Sequence, residues 1–75
     1  MNFEKDQILT LENNLEYLVV DIVNYNNNQY LYLVRMDEDK FNIVKVINEN
    51  GIIGLGKLSD EEYYNVLELL HKQNQ

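Results

Sequence analysis

The chain has 75 residues, with 13 acidic against 6 basic side chains and no cysteine, proline or tryptophan. That length admits one domain with a single small core, because a chain this short buries only ~60% of its surface on folding. The missing cysteines exclude a disulfide framework, a thiolate metal site and a thiol nucleophile. A net charge of −7 with scattered basic residues argues against direct nucleic-acid binding, which needs clustered Lys and Arg. Acidity more commonly serves solubility and the exclusion of wrong partners than docking on a basic surface. The N-terminus is charged, and no run approaches the ~18 apolar residues of a membrane span. The expectation is a soluble, cytoplasmic protein without membrane attachment. Abundant Asn, Ile, Lys and Tyr suggest an AT-rich bacterial or phage genome.

In chain order, residues 1–6 read as a loose terminus from which Phe3 could tuck back onto the fold. Residues 7–11 form a first strand and turn at Asn13-Asn14, pairing Leu9 with Leu18. The longest apolar-rich run follows, strands 15–25 and 29–36, both rich in β-branched and aromatic residues. The asparagines 26–28 between them tolerate left-handed backbone. An even loop, Asn27-Asn28 or residues 26–29, sets Tyr25 opposite Tyr30, Val23 opposite Tyr32 and Ile22 opposite Leu33. A polar loop at residues 37–40 leads to strand 41–48, with Met36 opposite Phe41 and Leu31 opposite Val46. Asn50-Gly51 is the strongest local signal, since both residues accept the positive φ of a type I′ turn. It opposes Val46 to Leu55 and Ile47 to Gly54 across strand 52–57. Ser59 then caps a helix over 60–72, with Glu62 completing a capping box and Leu58 stapled against Tyr63. Asp60, Glu61 and Glu62 suit its positive end, and His71 and Lys72 its negative one.

Strict alternation of strand side chains divides this meander into two faces. One is aliphatic, with Leu9, Leu11, Leu18, Val20, Ile22, Leu31, Leu33, Ile53 and Leu55. The other is aromatic and mixed, with Tyr17, Val19, Asp21, Val23, Tyr25, Tyr30, Tyr32, Val34, Met36, Phe41, Ile43 and Ile47. The helix stripe Tyr63, Val66, Leu67 and Leu70 is expected to cover the aliphatic face. The fold class is therefore α+β, a five-stranded antiparallel β-meander with one C-terminal α-helix packed on one face.

The segments at residues 8–11, 17–21, 29–33 and 43–46, the acidic Asp37-Glu38-Asp39 and the closing helix resemble the small YrzB-like acidic domain of low-GC Gram-positive bacteria. That resemblance implies a fold and a bacterial setting, and it supplies no functional residue.

No catalytic, cofactor-binding or metal-binding set emerges. Gly51, Gly54 and Gly56 match neither a dinucleotide fingerprint nor a phosphate loop and lie within a hairpin. Gly51 serves the turn, while Gly54 and Gly56 mark a bulge or a close approach by rings or another backbone. The acidic loop lacks the spacing and glycine of a calcium loop. His71 has no second His or Cys for zinc. Asp21 could act as a general acid or base with a raised pKa, but no partner group can be named beside it. Pairing with Lys45 or Arg35, or exposure at an edge, is the simpler reading.

The chain is accordingly expected to be no enzyme. The Tyr-rich face, left bare by a helix on the other side, would exceed the few hundred Å² that monomers usually expose. Such residues are enriched at interface centres. The expectation is a non-enzymatic protein–protein interaction domain. It binds a protein partner or self-associates as a dimer through Tyr17, Tyr25, Tyr30, Tyr32, Val34 and Ile43. Two alternatives stand beside it: a sheet curled so that this face becomes its inside, and an acidic phage-type inhibitor that blocks a nucleic-acid-binding site on a host protein.

Overall fold

Tight connections decide how the strands meet. The computed structural model describes residues 3–73. Along them run β1 (Ile8–Thr10), β2 (Glu16–Tyr25), β3 (Asn28–Arg35), β4 (Phe41–Glu49), β5 (Ile52–Gly56) and α1 (Asp60–Gln73). The strands form one antiparallel sheet in the order β1-β2-β3-β4-β5, and the helix lies on one side of it: an α+β meander, as expected. Of the expected loose terminus, Met1 and Asn2 lie outside the described residues. Residues 3–6 are tied down. Phe3 packs on the core, the Asp6 N–H donates to the Val19 carbonyl at 2.8 Å, and Lys5 reaches Asp21.

Asn26 and Asn27 both take left-handed backbone (φ 52° and 65°), so the β2–β3 turn is a two-residue one placed a residue earlier than expected. Tyr25 opposes Asn28, Val23 opposes Tyr30 and Ile22 opposes Leu31. The β3–β4 pairing likewise sets Val34 opposite Phe41 and Leu31 opposite Val44. Each correction is a slip of two, which leaves every side chain on its expected face. The β4–β5 hairpin has its expected register, with Asn50 and Gly51 at φ 53° and 85°.

Two single-residue slips do change faces. Between Val19 and Asp21 the β2–β3 register shifts at a bulge around Val20. Beside the bulge, the Asp21 carboxylate accepts the next residue's N–H, Ile22, at 2.8 Å. Tyr17 and Val19 therefore join Leu31 and Leu33 in one buried cluster, whereas Leu18 stands with Val34 on the other side. The β1–β2 loop is also one residue longer than expected. Leu11 pairs with Leu15, and Asn14 is left-handed at φ 61°, so Leu9 opposes Tyr17 and not Leu18. The second slip cancels the first for β1, and Leu9 and Leu11 remain on the aliphatic face.

The helix covers the side opposite to the one expected. Val66 and Leu70 pack with Val23, Tyr30 and Ile43, flanked by Tyr25, Tyr32, Leu58 and Leu69. Tyr63 and Leu67, expected in the buried stripe, are exposed. The stripe that meets the sheet is instead Glu62, Asn65, Val66, Leu69, Leu70 and Gln73, at the i, i+3, i+4, i+7, i+8, i+11 spacing of one helical face. Three of these six are polar, and only the tyrosine side offers them partners. The aliphatic side closes on itself. β4 pairs with β3 from Phe41 to Lys45 and with β5 from Lys45 onward, so the sheet curls at that point. Phe3, Leu9, Leu11, Leu15, Ile22, Val44, Val46 and Leu55 gather over Tyr17, Val19, Leu31 and Leu33 inside the curl.

Candidate interaction surface

The helix is anchored to the sheet by a polar cluster built on Tyr25, Tyr30, Lys45, Glu62 and Asn65. The Ser59 N–H donates to Glu62 Oε1 at 3.0 Å and the Glu62 N–H to Ser59 Oγ at 3.1 Å, a complete capping box. Glu62 Oε2 then accepts the Tyr30 hydroxyl at 2.6 Å and lies 3.1 Å from Lys45 Nζ. The Tyr30 hydroxyl beside it, with the Ser59 amide and Lys45, holds the Glu62 carboxyl down at about 2. Burial first, and the neighbouring carboxylate second, push the Tyr30 phenol up to about 12. One turn along, Asn65 Nδ2 donates to the Tyr25 hydroxyl at 3.1 Å.

Asp21 is likewise occupied. It is 5% exposed, lies 3.8 Å from Lys5 and accepts from Gln73 Nε2 at 3.4 Å. The expected pairing with Lys45 or Arg35 does not occur, because Lys45 serves Glu62 and Arg35 serves the acidic loop. There Arg35 forms a two-pronged contact with Asp37, at 2.6 and 2.9 Å, which holds that carboxyl below its ordinary range. Lys40 reaches Glu38. The loop thus supplies its own cations. Among the described residues, no three His, Asp or Glu side chains converge where a metal ion could sit.

The six residues expected to form one docking face do not stay together. Tyr17 was turned inward by the bulge, and its hydroxyl accepts from Asn13 Nδ2 at 3.2 Å. Tyr30 and Ile43 are buried beneath the helix, with Tyr25 partly buried beside them. Only Tyr32 and Val34 border an uncovered apolar surface. That surface is the half of the convex face beyond the helix. The register sets Ile8, Leu18, Val34 and Phe41 side by side across four strands, with Ile8 50% and Phe41 54% exposed. Met36 extends it, and the Tyr32 and Phe41 rings lie 5.4 Å apart. Between Tyr32 and the helix runs an open groove of about 630 Å³, walled by Tyr64, Leu67, Glu68, Leu70 and His71. Phe41 and Met36 were legible as members of this face. Ile8, Tyr64 and Leu67 were not, although Tyr64 and Leu67 stand three residues apart on one side of the helix.

The chain matches no family model, no curated protein and no solved structure. Among the described residues, no helix is long and apolar enough to cross a membrane.

Proposed function

We propose that this chain is a non-enzymatic protein-interaction domain whose docking surface is the strip Ile8–Leu18–Val34–Phe41 with the adjoining groove. The observation that carries this reading is the strip itself. Large apolar side chains stand contiguous, Ile8 and Phe41 about half exposed and Leu18 and Val34 partly buried between them, on a domain that has otherwise found partners for its buried polar groups. Exposed apolar surface in a continuous row marks association more often than an isolated exposed Leu does. The commitments of Asp21 and Glu62 within the fold support a binding role over a catalytic one.

Charge favours a different protein over a second copy. Five of the six cations are in ion pairs with acids, and each copy carries −7. A partner with basic residues around an apolar centre is attracted where a second copy is repelled. The inhibitor reading, which needs acids arrayed on one surface, has less support. Glu12 and Glu16 flank the first turn, residues 37–39 the third loop, Glu49 the last hairpin, and Asp60 and Glu61 the helix start. The bacterial setting implied by the YrzB-like resemblance, and the cytoplasmic location expected from the sequence, belong to the same proposal.

The test is affinity capture from the source cells with the natural chain and with Phe41→Glu, both checked for native circular dichroism. A protein retained by the first and lost by the second is expected. Identical captured sets would overturn the proposal. Light scattering on the purified chain reports self-association separately.

A further inference from the structure

We infer that the open seam between β1 and β5 receives an extended segment of another protein, which adds to the sheet as a sixth strand. The site extends the binding role proposed above and shares only Ile8 with the strip, through its backbone. β1 and β5 are the two edges of the sheet, and Thr10, Leu11, Glu12 and Asn13 face Ile53, Gly54 and Leu55 across one cleft of about 540 Å³. In a five-strand meander the two edge strands run in the same direction. A single guest running the other way is antiparallel to both, which is the pairing every other strand here adopts.

Both edges offer backbone groups to such a guest. The Asn50-Gly51 turn closes on the hydrogen-bonded pair Glu49–Ile52, so alternation points the N–H and C=O of Ile53 and Leu55 away from β4. On β1, the Val19 N–H donates to the Gln7 carbonyl and the Leu11 N–H to the Leu15 carbonyl, which leaves Ile8 and Thr10 pointing away from β2. The β5 edge, Ile52–Gly56, carries no charged residue and no proline, the devices that usually guard an edge. Gly54 is unexplained within the chain. Its φ is not left-handed, and a Cβ built on it meets nothing within 4 Å. A glycine without such a reason in a strand often marks the approach of another backbone.

The chemistry of the guest follows from the cleft walls. Leu11 and Leu55 belong to the inner core, so alternate side chains of the guest are apolar and continue that core. Among the described residues, one carboxylate, Glu12, and no cation lines the cleft, so the guest's outward positions favour Lys or Arg.

The experiment uses the full chain, amide hydrogen exchange by NMR, and the synthetic peptide acetyl-Lys-Val-Thr-Val-Lys-Val-Thr-amide. Saturating peptide is expected to slow exchange at Ile53 and Leu55 by about tenfold or more, as burial of an edge amide in a ladder does. The peptide with its alternation scrambled, with Glu for Lys, or with N-methyl groups on the pairing amides is expected to lose this effect. No slowing, or equal slowing by the scrambled peptide, overturns the inference. Slowing without peptide that grows with protein concentration also overturns it, since a second copy then fills the seam. Phe41→Glu removes the strip and is expected to leave the peptide effect intact, so failure of either proposal is distinguishable from failure of the other.

Discussion

Truncating Leu70 and Leu67 separately asks which side of α1 holds the fold together. Leu70 is 4% exposed and packs with Val23, Tyr30 and Ile43, whereas Leu67 is 38% exposed on the groove wall. Leu70→Ala removes buried methyl groups and leaves a cavity between helix and sheet, which costs ~2–5 kcal/mol. A domain this size has a total stability of roughly 4–11 kcal/mol, from ~0.05–0.15 kcal/mol per residue. A loss of ~3 kcal/mol lowers the melting temperature by roughly 12–24 °C at ~4–8 °C per kcal/mol. Leu67→Ala forfeits only part of a transfer term and encloses no void, so about 1 kcal/mol is expected. Urea unfolding followed by circular dichroism and tyrosine fluorescence measures both, with no tryptophan to mask the tyrosine signal. If Leu67→Ala costs as much as Leu70→Ala, the helix sits on its other face and the assignment of the two cores is wrong.

The Glu62–Tyr30 pair makes stability depend on pH at both ends. Glu62 titrates near 2 in the folded chain against an ordinary 4.5, so its contribution is complete above about 4.5 and is lost as pH falls toward 2. Tyr30 is raised from 10.0 to about 12, so its contribution is complete below 10 and is lost as pH rises toward 12. Melting curves across pH are expected to show Glu62→Gln flattening the acid limb and Tyr30→Phe the alkaline one; unchanged limbs would refute the coupling. Gly54→Ala is expected to stabilise by ~0.4–1 kcal/mol, since its backbone suits any residue and the space is open. Gly51→Ala, at φ 85°, is expected to destabilise, and thermal melts of the two variants compare them directly. Ser59→Ala removes the hydroxyl that accepts the Glu62 N–H and is expected to cost ~1 kcal/mol by the same measurement.

Features set by neighbouring residues were legible from the sequence. The Asn50-Gly51 turn and the Ser59–Glu62 box each rest on groups three or fewer residues apart, and both take their expected form. The phase of the β2–β3 turn was not legible, because three consecutive asparagines offer equivalent left-handed positions. An even loop preserved the face assignment through that error. The bulge at Val20 has no local signature beyond Asp21 in an apolar strand. The contacts that hold Asp21 there are the adjacent Ile22 amide together with Lys5 and Gln73, which come to it from opposite ends of the chain.

The choice of face for the helix shows why apolar counting misled. Ranking by hydrophobicity matches the most apolar helix stripe with the most apolar sheet face, which pairs Leu67 with Leu31 and Leu33. Such a match would strand the hydroxyls of Tyr25 and Tyr30 on one side and leave Glu62 and Asn65 without the partners that position the helix. On an uncovered face those groups would bond to water, and the helix would lose the Tyr30–Glu62 and Asn65–Tyr25 bonds that tie it to the sheet. The aliphatic face needs no cover of that kind, since a curling sheet buries it against itself. Phe41, Met36 and Ile8 have no hydroxyl to anchor and lie beyond the reach of a 14-residue helix that starts at Lys45 and ends at Asp21. The same polar demand that fixes the helix over the tyrosines therefore leaves the purely apolar strip uncovered.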